Sequence, residues 1–237
     1  LEEHISISVV NPIMLEHGWT FEPYEGMIPD SLHGARYLHQ VYTKAKADYT
    51  GRVTVPFLWD KQKNTIVSNE SSEIIRMFNS EFNDLTGNLL DFAPKELLAQ
   101  IDTMNTKTYG AINNGVYKAG FATNQSVYEE EVTKLFAALD ELDALLLTQN
   151  YLVGEQITEA DLRLLPTLLR FDPVYVGHFK CNLRRIKDYI GLSTYIQRLL
   201  AAHDIADTIN IDHIKTHYYA SHKTINPTGV VPLGPID

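Results

Sequence analysis

Two rhythms of apolar and polar positions divide the chain. Up to about Leu85 the apolar residues come in short β-rich runs, Ile5 to Val10, Val53 to Trp59 and Thr65 to Val67. Two segments of helical spacing, around Ala35 to Ala47 and Ser72 to Phe82, interrupt them. That mixture predicts an α/β unit. Asn83-Asp84-Leu85-Thr86-Gly87-Asn88 has the composition of a loop and reads as a linker. From Lys95 onward the spacing is helical almost throughout: Glu96 to about Tyr109, Val127 to Leu147, Glu159 to Arg170, Asn182 to about Tyr189, Ser193 to Ala202 and Asp207 to Tyr219. The second half is therefore predicted to be an all-α bundle, giving the organisation 1–85, a linker at 86–94, and 95–237.

Two helices are especially legible. In Val127 to Leu147, Val132, Leu135, Phe136, Leu139, Leu142 and Leu146 fall on one stripe, with Glu129, Glu130, Lys134, Asp140 and Glu141 largely off it. Thr158, followed three residues later by Asp161, has the pattern of a capping box with Asp in place of the usual Glu. Ile157 before the cap is placed to staple against Leu162, so a sharply defined helix start is expected.

The stretch from Val53 to Phe78 carries candidate chemistry. Pro56 has no N–H to give a sheet ladder, so it belongs at a strand entrance, an edge or a bend. A cis Val55-Pro56 bond would present the Val55 backbone to an extended ligand. Asn69-Glu70-Ser71-Ser72 reads as a helix start, where free N–H groups and the dipole suit a carboxylate and Glu70 suits an ammonium. A corner of this kind can hold the amino-acid end of a small peptide. It equally fits a Pro56 that only starts a strand and a Ser71 that only caps a helix.

Composition narrows the field. With 237 residues, 44% hydrophobic and 21% charged, the chain is long enough for one large or two modest domains. No apolar run approaches membrane-spanning length and nothing resembles a signal peptide, so a soluble protein is expected. A formal net charge of −10 argues against nucleic acid as a partner. The basic group Lys180, Arg184, Arg185 and Lys187 sits at helical spacing and reads as a solvated face. Cys181 is the only cysteine, which excludes an intramolecular disulfide and a cysteine-based metal site; it is expected to be buried and inert. His213 and His217 form an i, i+4 pair with His222 nearby, but no carboxylate or cysteine completes a metal set, and a solvated helix end is expected. His178 is expected to make a structural hydrogen bond. There is no Gly-x-Ser-x-Gly elbow and no Gly-rich phosphate loop or dinucleotide fingerprint.

Several spaced segments together resemble one family. They are Gly18-Trp19-Thr20-Phe21, Tyr49 to Pro56 with Leu58-Trp59-Asp60, Asn69 to Met77, Asn113-Asn114-Gly115-Val116-Tyr117, and Arg170 to Asn182. With the Thr158–Asp161 box, they resemble the glutathione transferases, and within them the glutathionyl-hydroquinone reductases of the xi class, from Ile5 to Pro232. The resemblance implies an α/β plus all-α fold: an N-terminal thioredoxin-like domain, here without its first strand and helix, followed by an α-helical glutathione-transferase C-terminal domain. It implies glutathione as co-substrate, no metal, a homodimer and a cytoplasmic location. It assigns Val55, before a cis Pro56, to the cysteinyl part of glutathione and Glu70 and Ser71 to the γ-glutamyl end. Trp19 and Arg52 match residues lining the same pocket, and Tyr117, Tyr175 and Tyr218 match tyrosines that point into the hydroquinone pocket.

One departure matters. The family's nucleophile is a cysteine in a Cys-Pro-Trp-Ala-His motif, which is absent here, and the first four residues align with the end of the helix that follows it. The intact protein is thus expected to carry its thiol upstream, and the chain as given to be inactive, with an uncovered sheet edge that lowers solubility or calls for a partner. The implied mechanism is attack of that thiolate on the glutathionyl sulfur, release of hydroquinone, and resolution of the cysteine–glutathione disulfide by a second glutathione. The alternative is a non-catalytic glutathione-transferase-like binding or assembly protein, against which the retained Arg52, Glu70, Ser71 and three tyrosines weigh.

Overall fold

The computed structural model describes residues 1 and 3–235. The expectation that the first four residues end a helix falls partly on Glu2, outside that set. Two compact units are present, Leu1–Leu90 and Asp91–Asp237.

The first unit contains α1 (Leu38–Ala45), β1 (Leu58–Asp60), β2 (Thr65–Ser68), α2 (Ser71–Ser80) and α3 (Asn83–Thr86). Its two strands pair antiparallel, Trp59 opposite Ile66 and Asp60 opposite Thr65. The Asp60 carboxylate closes the turn between them by accepting the Gln62 and Lys63 N–H groups, both at 2.8 Å. Leu38, Val41 and Tyr42 of α1 and Ile74 of α2 supply the buried apolar side chains of its helices.

Several expectations change here. Ile5 to Val10 is extended but makes only the isolated bridge Val9–Ile28 among the described residues, and the strand expected from Val53 begins at Leu58. The segment read as a linker contains α3, ended by Gly87 at a φ of 66°. Short polar residues favour turns, but Thr86 and Asn83 bond back to the carbonyls four residues earlier and hold one helical turn.

The second unit is helical: α4 (Leu98–Thr108), a π-turn (Tyr109–Asn113), α5 (Gly115–Gly120), α6 (Gln125–Leu146), α7 (Glu159–Arg170), a second π-turn (Phe171–Tyr175), a 3₁₀ turn (Ile186–Asp188), α8 (Ile190–Leu200), another 3₁₀ turn (Ile205–Thr208) and α9 (Ile211–Ser221). The full apolar stripe of α6 is buried, packed with residues from α5, α7, α8 and both π-turns in one continuous core. α7 starts and ends where the sequence placed it. Asp161 accepts the Thr158 N–H at 2.8 Å and its hydroxyl at 2.9 Å, and also takes the Leu152 N–H and the Tyr195 hydroxyl. The expected helix from Asn182 to Tyr189 is corrected to a single 3₁₀ turn. The Asp172 carboxylate accepts the Ile186 and Lys187 N–H groups and pins that turn from fourteen residues away. The basic group is therefore no helical face, although Arg184 and Arg185 stay on the surface, paired with Asp140 and Asp188.

Candidate active site

In the first unit the structure assembles the corner around Val55 and Glu70 about one phenol. Tyr42 is 2% exposed, and its hydroxyl donates to the Thr54 carbonyl at 2.8 Å while accepting from Asn69 Nδ2 at 3.5 Å. Asn69 Nδ2 also reaches Thr54 Oγ1 at 3.3 Å. The residue before Val55 is thereby tied to the residue before Glu70, so the two halves of the corner are held side by side. The Val55-Pro56 bond is cis and both residues are exposed. Glu70 is the cap residue of α2, and Ser71 opens the helix, where the first N–H groups have no partner within it. No side chain caps this end; instead the buried Ser68 hydroxyl accepts the Glu70 N–H at 3.1 Å and donates to Glu73 at 2.7 Å. Glu70 and Ser71 both face outward, which leaves the positive end of the α2 dipole open to an anion. Arg52 is exposed and Trp19 half-buried in the same unit; the Trp19 carbonyl accepts the Leu38 N–H that begins α1. Tyr42 and Ser68 escaped the sequence reading, and Asn69, read there as part of the helix start, instead reaches across to Tyr42 and Thr54. The available signal was a tyrosine on the apolar stripe Leu38, Val41, Tyr42, because a buried phenol needs a polar partner.

In the second unit the structure brings Tyr117, Tyr175 and Tyr218 into one hydrogen-bonded chain, although they stand on α5, the second π-turn and α9. The Tyr175 hydroxyl lies 2.9 Å from that of Tyr218, which is in turn hydrogen-bonded to Tyr117. Exposure grades along the chain: Tyr175 is 1% exposed, Tyr218 5% and Tyr117 37%. Of the three, Tyr117 opens to the outside, and the other two stand behind it. Burial pushes the phenols of Tyr175 and Tyr218 upward; contacts with Tyr218 and Tyr117 add to the shift of Tyr175, and Tyr117 adds to that of Tyr218 while the hydrogen bond with Tyr175 partly offsets it, so both remain protonated donors. The two π-turns set these positions. Each inserts one residue into a helical path, with the Asn114 N–H on the Tyr109 carbonyl and the Val176 N–H on the Phe171 carbonyl, both at 2.9 Å. The first is anchored by Asn113, whose Nδ2 donates to the Arg163 carbonyl and to the Thr167 hydroxyl of α7.

Cys181 is fully buried, and burial raises its thiol to about 12, so it is not a thiolate near neutral pH. His178 makes its hydrogen bond to His222, at 3.1 Å. His222 is not part of a solvated helix end: it packs edge-on against Phe121 and Tyr218 and stacks with Phe179. Among the described residues no group of three or more His, Cys, Asp or Glu is placed to hold a metal, and no helix is long and apolar enough to cross a membrane.

Comparison with known proteins adds the identity of this arrangement. Residues 125–198 match the family described as glutathione S-transferase, C-terminal domain. The chain is 54% identical over 235 residues to the glutathionyl-hydroquinone reductase PcpF of Sphingobium chlorophenolicum, covering 99% of this chain and 75% of that protein. It superposes on the glutathione-bound structure of YqjG, a glutathione transferase homolog from Escherichia coli K-12, with a TM-score of 0.96 at 52% identity, over 98% of this chain and 76% of the other. The glutathione-S-transferase Xi from Phanerochaete chrysosporium gives a TM-score of 0.97 at 50% identity, over 99% and 82%. A thioredoxin-like first unit followed by a helical second, with identity at this level along nearly the whole chain, shows that the protein belongs to the xi-class glutathione transferases, the glutathionyl-hydroquinone reductase family.

Proposed function

We propose that the protein reduces glutathionyl-hydroquinones to hydroquinones at the expense of glutathione. The observation that carries this reading is the phenol chain, one donor at the surface backed by two buried ones. Such a chain suits a ligand bearing hydroxyl oxygens on an aromatic ring. Each buried phenol polarises the next, so Tyr117 offers a strengthened hydrogen bond to the oxygen on which negative charge develops. Tyr117 is the contacting phenol in this reading, and Tyr218 and Tyr175 support it from behind. Glutathione is held by the Val55 backbone beside Pro56, by Glu70 and Ser71 at its γ-glutamyl end, and by Trp19 and Arg52 around the rest, the guanidinium pairing with a carboxylate.

The chemistry balances in two steps. A cysteine thiolate attacks the glutathionyl sulfur, the carbon–sulfur bond breaks, the ring takes a proton, and a cysteine–glutathione disulfide remains. A glutathione thiolate then attacks that disulfide, giving glutathione disulfide and the free thiolate. In this reading the nucleophile is not Cys181, whose burial and raised thiol unsuit it to the first role. A homodimer in the cytoplasm completes the proposal, since the reaction consumes reduced glutathione and needs a reducing compartment. The test is hydroquinone release from a glutathionyl-hydroquinone by the full-length protein with glutathione. Tyr117→Phe is expected to lower kcat by about a hundredfold, the weaker end of the range for one lost oxyanion donor. Unchanged turnover in that variant, or no release by the full-length protein, overturns the reading.

A further inference from the structure

Two imidazoles, His178 buried and His222 half-buried, lie against the phenol chain without a part in the reaction just proposed. His178 follows Tyr175 by three residues in the segment leaving the second π-turn, and His222 is the cap residue of α9, four residues past Tyr218. Nε2 of His178 and Nδ1 of His222 stand 3.1 Å apart, with the rings stacked at 5.3 Å between centroids. The ring of His222 also meets Tyr218 edge-on at 5.4 Å, and Tyr219 covers His178 edge-on at 4.7 Å. The pair thus bridges the two segments that carry Tyr175 and Tyr218.

Packing alone does not call for such a bridge. Phe or Leu would fill the same space without burying ring nitrogens that need partners. An N–H···N bond adds a fixed direction, and it adds it at the last turn of α9, where the helix runs out of intrahelical bonds and its end is least constrained. Tyr218 stands in that last turn. A hydroxyl that must meet two others within hydrogen-bond distance tolerates little displacement, and positioning of this kind is where outer residues act on a site.

We infer that the His178–His222 hydrogen bond is a clasp that fixes the end of α9 and so holds the Tyr218 hydroxyl on Tyr175 and Tyr117, making both histidines positioning residues for the recognition of an aromatic diol. The inference rests on the reading of the phenol chain as the aromatic pocket. The clasp needs at least one neutral ring, and its surroundings favour neutrality. Burial is the main cause; Lys180 from the adjoining loop and His217 from α9 add to it at His178, His217 and His178 add to it at His222, and Tyr218 and Tyr219 are the other titratable neighbours.

The test measures binding of hydroquinone itself to the protein by calorimetry, together with alkaline titration of the phenols by their absorbance. His222→Leu and His178→Leu remove the bond; His222→Asn and His178→Gln keep a polar atom near the positions of Nδ1 and Nε2. Tyr218→Phe serves as the control for the pocket. The expected result is an affinity about tenfold weaker in each Leu variant, the size of one net hydrogen bond. Affinity should return to within about threefold in the Asn and Gln variants. Phenol ionisation in the Leu variants should move down toward the ordinary value of about 10. If Tyr218→Phe weakens binding and the Leu variants bind and titrate like the wild type, the clasp is wrong and the pocket stands. If Tyr218→Phe leaves binding unchanged, the pocket reading fails, and the absorbance titration alone decides whether the histidines hold the phenols. Should the Leu variants not fold, a tenfold loss in the folded Asn and Gln variants overturns the clasp, and retained affinity there supports it.

Discussion

Single polar side chains buried at the right place organise each of the two units. The Tyr42 hydroxyl is bonded to the Thr54 carbonyl and to Asn69, which reaches the Thr54 hydroxyl as well. Tyr42→Phe keeps the ring and removes the phenol's part of the tie, which should cost about 1–2 kcal/mol in urea unfolding. Under the proposed reading it should also weaken glutathione binding, because the Val55 and Glu70 segments are then joined only through the weaker Asn69–Thr54 side-chain bond. A variant that binds glutathione as tightly as the wild type would separate the phenol from the cradle. Asp161 is the corresponding atom set in the second unit, accepting four hydrogen bonds while fully buried. Asp161→Ala leaves several buried donors without an acceptor, and a loss of about 3–5 kcal/mol follows. Denaturant unfolding of the folded variant measures it.

Elements differ in how plainly the sequence announces them, and the difference is physical. α7 was readable to the residue because its start is local chemistry, a Thr and an Asp three positions apart, each satisfying the other's backbone. α6 was readable because six turns of one-sided packing repeat the same stripe. The 3₁₀ turn at Ile186–Asp188 was not, since the carboxylate that sets it belongs to Asp172. The π-turns were not readable either, because one inserted residue only shifts the phase of a helical pattern. Of the candidate site, the residue types and their two groupings were legible; that three phenols from three elements would meet depended on contacts across as many as 101 positions. α5 shows how tight that meeting is. A methyl group on Gly120 would overlap the Phe179 ring, which stacks with Tyr175 and packs edge-on against Tyr117. Gly120→Ala should therefore destabilise the protein by about 1–3 kcal/mol despite the better helix propensity of alanine. A thermal midpoint at or above that of the wild type would show that the ring has room to move.

For the whole molecule, acidification pits two effects against each other. The chain carries a formal net charge of −10, so mild acid relieves self-repulsion and favours the compact state. The histidine pair works the other way. Burial, with help from nearby cations, lowers His178 and His222 to about 4, whereas unfolded imidazoles titrate near 6.5. Between those values the unfolded chain binds more protons than the native one, so stability rises with pH across the window. The contribution of the pair is complete above about pH 6.5 and is lost as the pH falls through about 4. Allowing for the half-exposure of His222, the pair should account for about 2–4 kcal/mol over that range. Carboxylates also begin to titrate near the lower end, so the wild type alone is an ambiguous readout. The difference between the wild type and a His178→Gln, His222→Asn double variant isolates the imidazoles, because both proteins share every carboxylate. Urea unfolding at pH 7, 6, 5 and 4.5 should show the wild type losing stability faster than the variant as the pH falls, with the gap growing through the whole interval. Parallel curves would mean that the two rings are solvated in the native state, and that the bond between them does not govern the end of α9.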